Sequence, residues 1–216
     1  DVLLSRAAQR SANGYHQLLD FCAWLRTRPP FDYVLDGPNI AYYSQNYAGG
    51  RFSFEQIESV LQALRAKEPD ASILLLLPQK YLRVEIPNHT TSAAAKTRVT
   101  EADQALVQSW RDQGLLYACA PELYDDWYWM FATVAETQAD EPVDAPLGLP
   151  PELGASAVTR VVTNDAMRDH WCDLLPTLAF QRWKHSQILA FGHESAEGEG
   201  ISSDEGGVEG GGFLFL

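Results

Sequence analysis

The sequence predicts an α/β domain built on a parallel sheet of about four to five strands flanked by helices. Three observations carry that expectation. Ile73 to Leu77 is an unbroken run of five apolar residues, the pattern of a strand covered on both faces. Runs of this kind alternate along the chain with segments whose apolar residues recur every three or four positions, the helical period. Several of the short runs end in an acid or in a turn of Gly, Pro and Asn, so the strands finish at a common edge.

The elements follow in order. Residues 2–26 read as a helix, with Leu18, Leu19, Cys22 and Leu25 at helical spacing and Pro29-Pro30 stopping it. Phe31 to Asp36 is a short apolar strand ending in an acid, and Gly37-Pro38-Asn39 turns the chain. Ser53 caps a helix to about Ala66, whose inner face is Phe54, Ile57, Val60, Leu61 and Leu64. After the strand 73–77 comes a polar, Ala-rich stretch, then a helix from about Glu101 to Gln113. Leu115 to Ala118 is a third strand, and Asp125 opens an aromatic helix to about Ala135. Arg160 to Thr163 is a fourth strand ending in Asn164-Asp165, Met167 to Leu175 a further helix, and Ile188 to Phe191 a fifth strand.

This divides the chain into an N-terminal helical part (1–30), the sheet domain (31–193) and a tail (194–216). Residues 136–157, with Pro142, Pro146, Pro150 and Pro151, read as a disordered insertion. The tail, rich in Gly, Ser and Glu, reads as disordered, and its loss is expected to leave the melting temperature nearly unchanged.

Composition excludes several classes. The chain is 46% hydrophobic and 11% aromatic, a globular composition, and no run of about 18 apolar residues is present to span a membrane. Cys22, Cys119 and Cys172 stand far apart, offering neither a disulfide framework nor a zinc site. The net charge of −13 argues at first against nucleic acid, whose binders are usually basic. Five acids lie between Ala135 and Ala155 and six from Gly192 onward, with no Lys or Arg in either stretch. Setting those eleven aside leaves 18 acids against 16 bases, a body close to neutral. The chain begins with Asp1 rather than Met, so any targeting segment is expected upstream.

Four acids stand at strand ends or helix starts: Asp36, Asp125, Asp126 and Asp165. In parallel sheets ligands bind beyond the carboxyl ends of the strands, so all four should face one site. Crowded carboxylates are costly without a cation. Mg²⁺ prefers oxygen ligands while keeping waters for substrate phosphates, and two such ions about 4 Å apart suit phosphodiester hydrolysis. Each residue alone has a plainer use: Asp125 and Asp165 as helix caps, Asp36 as a turn former. Around them, Asn39 is a candidate to orient a ligand carboxylate or a water, Arg168 to hold a phosphate, and Asp169 and His170 to support the site. Lys80, Arg83, Arg98, Arg182 and Lys184 are candidate contacts to an RNA backbone, each also readable as a solvated surface charge. Trp127-Tyr128-Trp129 suits base stacking or the core.

Four strings resemble one family. Phe31-Asp32-Tyr33-Val34-Leu35-Asp36-Gly37-Pro38-Asn39-Ile40, Tyr124-Asp125-Asp126-Trp127-Tyr128-Trp129, Thr163-Asn164-Asp165-Ala166-Met167-Arg168-Asp169-His170 and Phe180-Gln181-Arg182-Trp183-Lys184 are similar to the nuclease domain of proteinaceous (protein-only) RNase P. That is the PRORP family of the NYN/PIN nuclease group, and the likeness is to its plant and algal branch. The resemblance runs from about Tyr15 to Phe191. It implies a Rossmann-like, NYN/PIN-type sheet and a metal-dependent endoribonuclease that removes the 5′ leader of precursor tRNA. It further implies Mg²⁺ as cofactor, with Mn²⁺ able to substitute, held by Asp36, Asp125, Asp126 and Asp165. A monomer is expected, with precursor tRNA as partner, no membrane, and residence in mitochondrion, chloroplast or nucleus.

The sequence departs from the family in named ways. The upstream pentatricopeptide repeats and both halves of a zinc-bound connector are absent, so no zinc is expected here. Gly37-Pro38-Asn39 replaces the usual Gly-Ala-Asn. Three other functions stay open from the residues alone: an NYN-type ribonuclease acting on other RNAs, an inactive RNA-processing scaffold, and an aspartyl-phosphate receiver, which the aromatics after Asp126 fit poorly.

Overall fold

The computed structural model describes residues 2–45, 50–87, 96–135, 158–167, 177–193 and 213–215. Two helices open the chain, α1 (Val2–Arg10) and α2 (Ala12–Arg26), where the sequence predicted one. Ser11 divides them: its backbone is extended and its hydroxyl accepts the Gly14 N–H, so it caps α2. Next come β1 (Tyr33–Asp36), the short helix α3 (Gly37–Tyr42), and α4 (Phe54–Lys67) with Ser53 as its cap, as expected. Strand β2 (Ile73–Pro78) runs into a 3₁₀ turn (Gln79–Leu82).

The stretch read as merely polar and Ala-rich holds a small antiparallel ribbon, β3 (Glu85–Pro87) with β4 (Lys96–Arg98). Three-residue strands are too short for their periodicity to register. Helix α5 (Glu101–Asp112) starts with Thr100 and Asp103 capping each other's backbone N–H groups. It is followed by β5 (Leu116–Cys119), α6 (Asp125–Ala135), β6 (Arg160–Val162), α7 (Thr177–Gln187), β7 (Ile188–Leu189), β8 (Phe191–His193) and β9 (Phe213–Phe215).

Five of the strands form one parallel sheet in the order β5-β2-β1-β6-β7. The chain therefore starts in the middle, winds outward through β2 and β5, then returns to the other side of β1. Between β1 and β6 the winding reverses, and a ligand crevice opens at the carboxyl end of that pair.

Alternation along the strands divides the core in two. Tyr33, Leu35, Ile73, Leu75 and Leu77 face α3, α4 and α5, joined by Trp110 and Tyr81. Val34, Leu74, Leu76 and Val161 face the other way, against Leu18 and Phe21 of α2 and the aromatic face of α6. Cys22 and Cys119 are buried free thiols of this second layer, and Cys172 lies outside the described residues.

Three expectations need correction. The last residues are not featureless: β9 pairs antiparallel with β8, and Phe213 is buried. The signal was a four-residue apolar run after a long polar stretch, whose partner lies about 20 positions back. The strand expected over Ile188 to Phe191 is also two strands, one in the main sheet and one in the ribbon with β9. The helix expected over Met167 to Leu175 begins with a residue at φ 53, outside the helical region. Its remainder, like the 136–157 insertion, lies outside the described residues.

Candidate functional site

Asp36 is the last residue of β1, so its side chain stands at the carboxyl edge beside the switch point. It caps α3, taking the Asn39 N–H on Oδ1 at 3.2 Å. Its Oδ2 accepts the Thr163 hydroxyl at 2.8 Å. Gly37 lets the start of α3 lie close against β2: a Cβ would stand 2.5 Å from Leu77 Cδ2 and 2.6 Å from the Leu76 carbonyl oxygen.

Asp125 and Asp126 occupy the first turn of α6, which packs over β1 and β2. Unpaired N–H groups and the helix dipole favour negative charge at that end. Asp165 follows β6 in a tight loop. Its backbone N–H donates to Thr163 Oγ1 at 3.0 Å, and its Oδ1 accepts the Met167 N–H at 2.8 Å. That turn puts Met167 in the left-handed region, an arrangement held by burial of the Met167 side chain.

All four aspartates line one open cleft of about 410 Å³, together with Pro38, Asn39, Tyr42, Tyr43 and Asn164. They were chosen from positions spread over 130 residues of sequence, so their convergence is a structural finding. Among the described residues, no three His, Cys, Asp or Glu side chains stand close enough together to hold a metal ion between them as they are placed. The carboxylates instead face a shared open volume.

The electrostatics record the crowding. Burial first, then the charges of Asp125 and Asp126, push the Asp36 carboxyl well above the usual range, against the opposing bonds from Thr163 and Asn39. Burial and Asp126 raise Asp125 to about 6, with Lys80 pulling the other way. Burial, Asp125 and Asp36 also keep the Cys119 thiol protonated, which suits a core residue better than a nucleophile.

The remaining candidates separate. Asn39 lines the cleft and accepts the Asn164 N–H at 2.9 Å. Lys80 sits in the 3₁₀ turn at the end of β2, close enough to act on Asp125, with its Nζ 4.8 Å from the Tyr81 ring. Arg83 and Arg98 are exposed at the β3–β4 ribbon beside that turn. Arg182 is exposed on α7 and does not line the cleft. Lys184 donates to the Ala166 carbonyl at 2.9 Å and holds the loop that carries Asp165. Arg168, Asp169 and His170 lie outside the described residues.

Trp127, Tyr128 and Trp129 are core, with Trp129 stacked on Trp183 at 6.1 Å. They do not offer a stacking surface. Sequence reasoning missed Thr163 and Asn164 as site residues. The only signal was their place between a strand and Asp165.

Fold and cleft together define a class: a Rossmann-like parallel α/β domain with four strand-end carboxylates around its switch-point crevice. The family model described as Protein-only RNase P matches residues 2–141. The chain belongs to the protein-only RNase P family.

Proteinaceous RNase P 3 of Arabidopsis thaliana is 31% identical over 189 residues, covering 86% of this chain and 27% of the relative. Proteinaceous RNase P 1, chloroplastic/mitochondrial, of the same plant is 33% identical over 164 residues, covering 76% and 23%. The solved structure titled Arabidopsis thaliana nuclear protein-only RNase P 2 (PRORP2) superposes with a TM-score of 0.65 at 25% identity, covering all of this chain and 35% of that one. The chain thus spans about a quarter of the length of these curated relatives. Among the described residues no helix is long and apolar enough to cross a membrane.

Proposed function

We propose that the cleft is a Mg²⁺-dependent endoribonuclease site that removes the 5′ leader of precursor tRNA. The observation that carries this reading is the meeting of Asp36, Asp125, Asp126 and Asp165 in one cleft at the sheet's switch point. Membership of the family supports the choice of substrate.

When bound, Mg²⁺ supplies Lewis-acid stabilisation of the phosphate and a lower pKa for its water. The residues of the chain do the rest. Asp36, Asp125, Asp126 and Asp165 would provide the oxygen ligands, and the crowding of their charges in the metal-free state favours a cation. The Thr163 hydroxyl and the Asn39 N–H fix both oxygens of Asp36, so its orientation is set before any ion arrives. Lys80, close enough to act on Asp125, and the exposed Arg83 and Arg98 near it on the β3–β4 side offer cations to the RNA backbone. The domain acts as a monomer, with pentatricopeptide repeats elsewhere in the full-length protein gripping the tRNA.

The test incubates the protein with Mg²⁺ and a leader-bearing precursor tRNA, beside an unrelated structured RNA. Cleavage of the first alone, leaving 5′-phosphate and 3′-hydroxyl ends, is expected. Asp126→Ala and Asp165→Ala should each lower the rate by about 10³-fold or more with the fold intact. Cutting of both RNAs points to a general ribonuclease, and cutting of neither to an inactive scaffold.

A further inference from the structure

Among the described residues, the β8–β9 ribbon forms no strand pairing with the five-stranded sheet. A two-stranded ribbon is marginal on its own, so side chains must hold it to the body. They do so in three places. Asn164 closes a ring with the backbone of Phe191: its Nδ2 donates to the Phe191 carbonyl at 2.8 Å, and its Oδ1 accepts the Phe191 N–H at 3.1 Å. The rings of Phe191, Phe213 and Tyr43 form a trio, with centroids 5.0 Å apart for Tyr43–Phe191, 6.0 Å for Phe191–Phe213 and 6.4 Å for Tyr43–Phe213. Lys67 of α4 also lies over the Phe215 ring at 5.7 Å.

The first two attachments end in the cleft. Tyr43 and Asn164 line it, and the Asn164 N–H fixes the Asn39 side chain, another lining residue. Asn39 in turn donates its own N–H to Asp36, and Asn164 precedes Asp165. The Tyr43 carbonyl is held from the other side by the buried Gln56 amide at 2.9 Å. A chain of short contacts thus runs from β9 to two of the four aspartates.

We infer that the β8–β9 ribbon is a brace for the cleft, with Phe213 and Asn164 as positioning residues. Phe213 holds Phe191 and Tyr43 in place, Phe191 holds Asn164, and Asn164 sets Asn39 and the Asp165 loop. None of these residues needs to touch substrate to affect the rate. The inference rests on the nuclease reading of the cleft for its activity arm, but not for its structural arm.

The experiment compares Phe213→Ala, Asn164→Ala and the double variant with the full chain. For each single variant, kcat at saturating Mg²⁺ should fall about 10- to 100-fold, the scale of a misplacement near 1 Å at the reacting groups. KM for RNA should change less than about threefold, since backbone contacts are untouched. Phe213→Leu should recover most of the rate. The double variant should be little worse than the poorer single one, because both act through one unit. Amide hydrogen exchange should accelerate over 36–43 and 160–167 in Phe213→Ala while 73–77 stays protected. Wild-type kcat and unchanged exchange in Phe213→Ala would overturn the brace, as would strictly additive losses in the double variant. If the unaltered protein cuts no RNA, the nuclease reading fails, and the exchange arm alone decides whether the brace exists.

Discussion

Thr163→Val replaces a hydroxyl by a methyl of nearly the same shape at a fully buried position. One oxygen there serves two aspartates: it donates to Asp36 Oδ2 at 2.8 Å and accepts the Asp165 N–H at 3.0 Å. A hydrogen bond to a charged group is worth about 1.5–3 kcal/mol, and Asp36 is only 4% exposed, so water cannot readily replace it. Taking about 2 kcal/mol gives roughly a 30-fold change in an equilibrium constant. The Mg²⁺ concentration for half-maximal cleavage should therefore rise by about 30-fold, within the 10- to 100-fold range of such supporting bonds. The sign of the pH effect follows. Losing the Thr163 bond pushes the Asp36 carboxyl further up, so protons compete better with the cation. The defect should be larger at pH 6 than at pH 8.5. The assay is a Mg²⁺ titration of precursor cleavage at both values, with circular dichroism to check folding. Thr163→Ser keeps the hydroxyl and should stay close to the unaltered protein. A folded Thr163→Val protein with a Mg²⁺ dependence within about twofold of normal would refute the reasoning, whatever the absolute rate.

The same crowding governs stability without metal. Asp36 and Asp125 are raised in the folded state, so the fold is best supported when they are protonated. That support is complete below the ordinary carboxylate range; the Asp125 share is lost as pH rises through about 6, and the Asp36 share as pH rises well above that range. Melting temperature in EDTA should fall from pH 5 to pH 8 relative to saturating Mg²⁺, and Asp36→Asn should raise the metal-free value at pH 8 while abolishing the Mg²⁺ response. A gap between EDTA and Mg²⁺ melting curves that does not widen with pH would contradict this. Gly37→Ala drives a methyl into the Leu76 carbonyl and Leu77, and the backbone oxygen cannot move aside as a side chain can. The expected cost is about 1–3 kcal/mol. It should appear as a melting temperature several degrees lower, with cleavage lost more completely because Asp36 and Asn39 flank the displaced turn.

How much of this could be read from the sequence depends on the range of the interaction. The sheet was legible because Ile73 to Leu77 and Tyr33 to Leu35 are apolar runs whose burial is decided locally, and α4 because Ser53 caps it and its apolar residues recur at helical spacing. The aspartates were legible because parallel α/β winding forces strand ends to one edge. Given the strands, Asp36 and Asp165 had to arrive together. Their meeting with α6 needed only that the helix return across β1 and β2.

Tertiary structure alone decided what holds those acids. Thr163 and Asp36 are 127 positions apart, and Asn164 and Asn39 are 125 apart. Nothing in either segment announces the pairing, because Thr and Asn carry no periodic or hydrophobic signal. Lys184 looked like a surface cation until Ala166 proved to be its acceptor, and Trp127 to Trp129 looked divided between RNA and core until α6 packed on α2. The apolar run at 213–215 had no meaning until Phe191 and Tyr43 supplied its partners. Sequence thus determines where charge is delivered, since chain direction and burial do that element by element. The orientation of that charge is set by short polar and aromatic contacts between distant segments, and those exist only once the chain has folded.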